Sequence, residues 1–123
     1  MGHPVVHFEI MGRDAPALSA LYSELFDWQI DANNPMNYGT VPREGNTLPD
    51  GTGIGGGIGQ VPEGYDGHVT FYVQVPQVEA ALVTAEKLGG TRRMGPEEVM
   101  PGLTVGLFSD PEGHVVGLVE GGS

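Results

Sequence analysis

A single offset of 63 residues lays one half of this chain over the other. His7-Phe8-Glu9-Ile10 leads into a helix-like run that ends at Leu25-Phe26-Asp27. Thr70-Phe71-Tyr72-Val73 leads into another that ends at Leu88-Gly89-Gly90. The shift puts Phe8 on Phe71 and Leu25 on Leu88. A duplicated strand–helix unit implies two halves built alike, with a cavity shared between them. The same offset is an internal ruler for asking which residues face that cavity.

Local patterns fill in the halves. Val5 to Ile10 is a short apolar run rich in β-branched residues, which predicts a strand. Asp14 is an N-cap and Pro16 falls in the first helical turn, where its missing N–H costs nothing. Leu18, Leu21, Tyr22 and Leu25 then form one apolar helical face. Trp28 to Ile30, Tyr38 to Val41 and Ile54 to Val61 read as strands, with a turn at Asn33-Asn34-Pro35. The second half repeats the plan. His68 to Val75 is a strand, and Val78, Ala81, Leu82, Ala85 and Leu88 make a second helical face. Gly89-Gly90 stops that helix. Thr91 to Met94, Leu103 to Phe108 and His114 to Val119 complete the strands, with a tight turn at Asp110-Pro111-Glu112-Gly113. The order is βαβββ twice, which implies helices on one face of a mixed sheet, an α+β architecture.

Composition narrows the functions. A chain of 123 residues is one domain. Sixteen acidic residues against five basic ones give a formal charge of −11, which repels phosphate backbones and anionic lipid, so neither nucleic acid nor a membrane is an expected partner. There is no cysteine, which removes disulfides, thiolate metal sites and a cysteine nucleophile and fits a cytoplasmic protein. No apolar run approaches the ~20 residues of a membrane span, and Met1-Gly2-His3-Pro4 opens no signal peptide. Six of the 21 glycines fall between Gly51 and Gly59. Gly51-x-Gly53-x-x-Gly56 satisfies a dinucleotide pattern literally, but no helix follows it, so it reads as a loop entering a strand. No Gly-x-Ser-x-Gly is present. Arg92-Arg93 reads as a solvated strand edge that could also pair an anionic ligand.

His7-Phe8-Glu9-Ile10, the helix end at Tyr22 to Phe26, Leu88-Gly89-Gly90 and Asp110-Pro111-Glu112-Gly113-His114 occur in that order. Together they resemble the vicinal oxygen chelate superfamily of glyoxalase-type lyases, bleomycin-resistance proteins and extradiol dioxygenases. The resemblance runs from about Val5 to Glu120. It implies a single domain over 1–123, with one βαβββ module at about 5–61 and a second at about 66–120. It further implies a U-shaped mixed sheet around a cavity, helices on the outer face, and a homodimer.

In the metalloenzymes of that superfamily, His and Glu ligands from the first and last strand of each module hold a divalent ion. His7 matches the first such position. The internal ruler puts Thr70 at its counterpart. His68, two residues earlier, shares a face with Thr70 and Tyr72 and stays a candidate if a bulge moves it. Where the last strand would carry the ligand Glu, this chain has Gly117. Glu120 falls on the opposite face, with Val116 and Leu118 as helix-packing positions. Ile54 to Gln60 offers no His, Asp or Glu. One matching ligand does not make a metal site, so no metal cofactor is expected. The alternative is a Zn, Ni, Mn or Fe ion held by His7, Glu9 and His68. His7 otherwise reads as a hydrogen-bonded histidine lining the cavity. Glu9 reads as a general base or as a carboxylate at a wet cavity mouth.

The resulting expectation is a glyoxalase- or bleomycin-resistance-like protein with a degenerate metal site that binds a small, largely apolar organic molecule. The cavity residues are His7, Glu9, Tyr38, His68, Thr70, Tyr72, Val115 and Gly117, with Met11 on the same concave side by alternation. Gly117 is expected to leave room or backbone contact for the guest. The alternative function is a divalent-metal-dependent lyase or dioxygenase.

Overall fold

The structure, a computed structural model, describes residues 2–121. The elements run β1 (Val5–Gly12), α1 (Ala15–Phe26), β2 (Gly39–Val41), β3 (Gly55–Gln60), β4 (His68–Gln74), α2 (Val78–Lys87), β5 (Thr91–Met100), β6 (Leu103–Ser109) and β7 (Val115–Gly121). Among the described residues these are two helices and seven strands, an α+β architecture. It divides into two compact units, one from His7 to Val69 and one from residues 2–6 and 70–121. No helix among the described residues is long and apolar enough to cross a membrane.

In the first unit the strands lie in the order β2-β3-β1, with β1 parallel and β2 antiparallel to β3. Alternation along β1 sends Phe8 and Ile10 to the face that α1 covers. There they meet Val41, Ile58, Leu18, Tyr22, Trp28 and Ile30. Asp14 caps α1 by accepting the Ala17 N–H at 3.1 Å. The helix closes at Asp27, whose φ of 58° is left-handed. This turn corrects the sequence expectation for Trp28 to Ile30. No strand forms there, because Trp28 folds onto Phe8, Tyr22 and Phe26 in an aromatic cluster, and pairing is reduced to one bridge, Asp31 to Thr40. The expected apolar face of α1 also splits. Leu18 and Tyr22 pack on the sheet, while Leu21 and Leu25 are 56% and 65% exposed.

In the second unit the strand order is β4-β7-β6-β5. α2 buries Val78 and Leu82 against Leu118, with Val73, Val75, Ala81 and Phe108 around them. Leu118 and Glu120 face this helix, as alternation requires. The Glu120 carboxylate accepts the Val78 N–H at 2.6 Å, supplying the acceptor that the N-cap residue Gln77 does not. β5 runs further than expected, to Met100, by way of register shifts. Arg92, read above as a possible anion partner, is bound to Glu79 and Glu86 of α2. Arg93 donates to the Ser109 hydroxyl.

Leu82 is fully buried and Leu88, at the end of the same helix, is 77% exposed. Leu82→Ala is therefore expected to cost about 2–5 kcal/mol in denaturant unfolding, against less than about 0.5 kcal/mol for Leu88→Ala.

Candidate functional site

Residues that alternate with Phe8 and Ile10 on β1, namely His7 and Glu9, point to the sheet face opposite α1. Their partners across β3 are Gly55 and Gly57. A Cβ added at Gly57 would come within 1.9 Å of the Tyr38 ring. Glycine here is therefore what lets that ring lie flat on the strand. The segment before β2 is shaped to deliver it. Asn34 accepts the Met36 and Tyr38 N–H groups at 3.2 and 2.9 Å and donates to the Tyr38 carbonyl at 2.7 Å. Asn37, just ahead, takes a left-handed φ of 51°, a conformation that asparagine tolerates.

The Tyr38 hydroxyl consequently sits between the two β1 side chains. It donates to Glu9 Oε2 at 3.0 Å and lies 2.9 Å from His7 Nε2. Its one proton goes to the carboxylate, so His7 must donate from Nε2. On the other side, His68 Nε2 meets Glu9 Oε1 at 3.2 Å, and the Tyr65 hydroxyl lies 2.7 Å from His68 Nδ1. With Glu9 as a carboxylate and the imidazoles neutral, the donors are ordered. His7 gives to Tyr38 and Tyr38 to Glu9, while Tyr65 gives to His68 and His68 to Glu9. Glu9 is only 8% exposed, a position a carboxylate holds when its oxygens are hydrogen-bonded. The arrangement can orient a guest and relay protons between five side chains.

The fit to a divalent ion is poor. Metal ligation needs nitrogen and oxygen at about 2.0–2.2 Å from one point. Here a hydroxyl at hydrogen-bond distance occupies the interval between His7 and Glu9, and the second Glu9 oxygen turns to His68. Among the described residues no three His, Asp or Glu side chains converge to hold an ion.

His7, Glu9, Tyr38 and His68 are thus brought together in the first unit. Thr70, Tyr72, Val115 and Gly117 belong to the second, where they pack on one another. The Thr70 hydroxyl donates to the Val115 carbonyl, and Tyr72 pairs in register with Gly117. The room expected above Gly117 is filled, since a Cβ there would lie 2.5 Å from the Tyr72 ring. Thr70 and Tyr72 are buried. Met11 lies over Gly59. Sequence reasoning missed Asn34, Gly57 and Tyr65. Asn34 was legible as a turn residue, and Tyr65 stands three places before His68. Two grooves of about 890 and 570 Å³ in this unit are lined by α1 residues and not by His7, Glu9 or Tyr38. The smaller one reaches His68.

Burial lowers the His7 imidazole below its ordinary 6.5, against a weaker upward pull from Glu9. The unfolded chain therefore takes up this proton first as pH falls. Stability linked to His7 is complete above about 6.5 and is lost as pH drops from there towards the folded value. NMR titration should place the His7 midpoint below 6.5, and His7→Gln should flatten the stability loss in that window.

No curated protein matches the chain. Among solved structures it is similar to one from Legionella pneumophila titled NAD-dependent benzaldehyde dehydrogenase, at 13% identity and TM-score 0.63, covering 94% of this chain and 98% of that one. It is similar to a glyoxalase/bleomycin resistance protein/dioxygenase superfamily member from Vibrio splendidus 12B01, at 13% identity and TM-score 0.61, covering 97% and 99%. A Streptomyces coelicolor methylmalonyl-CoA epimerase in complex with 2-nitronate-propionyl-CoA matches at 15% identity and TM-score 0.58, covering 98% and 99%. At such identities these likenesses speak for the fold alone. The glyoxalase-like domain family matches residues 7–119, and the chain belongs to that family.

Proposed function

We propose that this protein binds a small, largely apolar organic molecule on the His7–Tyr38–Glu9–His68 face, oriented by hydrogen bonds and without a resident metal ion. The observation behind this reading is the Tyr38 hydroxyl, set between the imidazole and the carboxylate that an ion would have to share. Ligand sites are commonly apolar with a few fixed polar groups, and this face supplies such groups already ordered. Glu9 has a donor on each oxygen, so its role here is to hold Tyr38 and His68 in place rather than to act first as a base.

Thermal-shift screening of small aromatics and aldehydes tests the reading. A true guest at 100 times its Kd adds about 2.7 kcal/mol of stability. Tyr38→Phe keeps the ring and loses the hydroxyl, and is expected to weaken that guest by about tenfold. The competing reading, a metal-dependent lyase or dioxygenase, is favoured by the position of His7 on β1, the first strand of the chain. It predicts stoichiometric Zn, Ni, Mn or Fe in tag-free protein, lost in His7→Ala. That elemental analysis would overturn the metal-free proposal.

The same proposal takes the protein to be a cytoplasmic homodimer. Leu21, Leu25 and Phe26 leave an apolar strip exposed on α1, of the kind that marks an association surface. Sedimentation velocity should give twice the 12.9 kDa chain mass; a sole species at the chain mass would refute it.

A further inference from the structure

The larger groove of the first unit, about 890 Å³, lies wholly within that unit, and His7, Glu9, Tyr38 and His68 take no part in its lining. Its volume falls within the roughly 300–1,000 Å³ of small-molecule sites. One wall is α1, where Ser19, Ala20, Ser23, Glu24 and Asp27 recur at the spacing of a single helical face. The three small side chains among them occupy little of the space. Ile58, fully buried, and Trp28, partly exposed, add apolar surface. Leu21, Leu25 and Phe26 are absent from the lining, so the groove is separate from the exposed apolar strip of the same helix.

Its charged groups are of one sign. Glu24 and Asp27 line it, and no lysine, arginine or histidine does. The last turn of α1 carries no basic residue, so the partial negative charge of the helix C-terminus adds to the two carboxylates. Ser23 gives its hydroxyl proton to the Ala20 carbonyl at 3.3 Å, which leaves its oxygen as an acceptor. The Gln60 amide is already engaged, by the Ala15 N–H and the Arg13 carbonyl. A guest with a positively charged donor on an apolar body satisfies these acceptors together, and an indole such as Trp28 attracts a cation as well. We propose that this groove is a second binding site, for an organic ammonium ion: a protonated amine carried on a compact apolar body. Both carboxylates are exposed, so their pull is screened by water and the selectivity is about tenfold rather than thousands-fold.

Trp28 is the single tryptophan of the chain, so its fluorescence reports on the groove. The probes are 1-adamantylmethylamine, 1-adamantanemethanol and adamantane-1-carboxylate, which share one apolar cage and differ in charge at about pH 8. The intact protein is titrated at about 0.15 M salt, where the Debye length is about 8 Å. The amine is expected to bind at least about tenfold tighter than the carboxylate. Glu24→Gln with Asp27→Asn should weaken the amine by about tenfold and leave the alcohol within about twofold; asparagine tolerates the left-handed backbone at position 27. The chain carries a formal charge of −11, so a control removes the same charge elsewhere. Glu97→Gln with Glu112→Gln, at exposed positions of the second unit, should leave the amine unchanged. Ala20→Phe, at an exposed position of the groove wall, should weaken amine and alcohol alike. Tyr38→Phe should leave the amine unchanged, which separates this site from the polar face. The proposal is overturned if none of the probes binds, or if the carboxylate binds as well as the amine. An equal loss in the Glu97 and Glu112 control would assign the preference to overall charge, and loss of the amine in Tyr38→Phe would assign the binding to the polar face; either result refutes it.

Discussion

One hydroxyl group organises the polar face of the first unit. Tyr38 Oη stands 2.9 Å from an imidazole and 3.0 Å from a carboxylate of the same strand, and each neighbouring feature serves that placement. Alternation along β1 puts His7 and Glu9 on one face and Phe8 and Ile10 on the other. The missing side chain at Gly57 gives the Tyr38 ring a surface to lie on, and the Asn34 amide fixes the chain that carries it. The glycine-rich β3, weak as a strand on propensity alone, is what lets aromatic rings close on the sheet from both faces. Phe8 covers Gly56 on the helix side, and Tyr38 covers Gly57 on the other.

The two halves share a plan and use it differently. In the first, strand residues on the polar face reach outward to Tyr38 and His68. In the second, the corresponding residues close inward. Thr70 bonds to the Val115 carbonyl, and Tyr72 fills the space that Gly117 leaves. The two halves thus carry different polar chemistry on their strands. Glu120 illustrates the second half's economy: facing the helix, it supplies an acceptor at the start of α2.

Much of this was legible in the sequence because it depends on period. The 2-residue period of β1 assigned His7 and Glu9 to one face, and the same rule sent Leu118 and Glu120 to the helix side. What escaped depends on tertiary packing. Trp28 to Ile30 has strand propensity, yet the aromatic cluster around Trp28 takes the chain away from the sheet. Leu21 and Leu25 fit the helical stripe but stay exposed among the described residues. Alternation kept His68 on the face of Thr70 and Tyr72, whereas its bond to Glu9, 59 residues away in sequence, is a long-range pairing that no local pattern encodes. The room predicted above Gly117 failed for a similar reason, since a glycine marks a close approach without saying what approaches.

A high-resolution crystal structure of the tag-free protein, grown with a divalent cation in excess, tests the central claim most directly. The expected result is Tyr38 Oη within hydrogen-bond distance of both His7 and Glu9, with no cation between them. Tyr38 swung away, and an ion held by His7, Glu9 and His68, would contradict it.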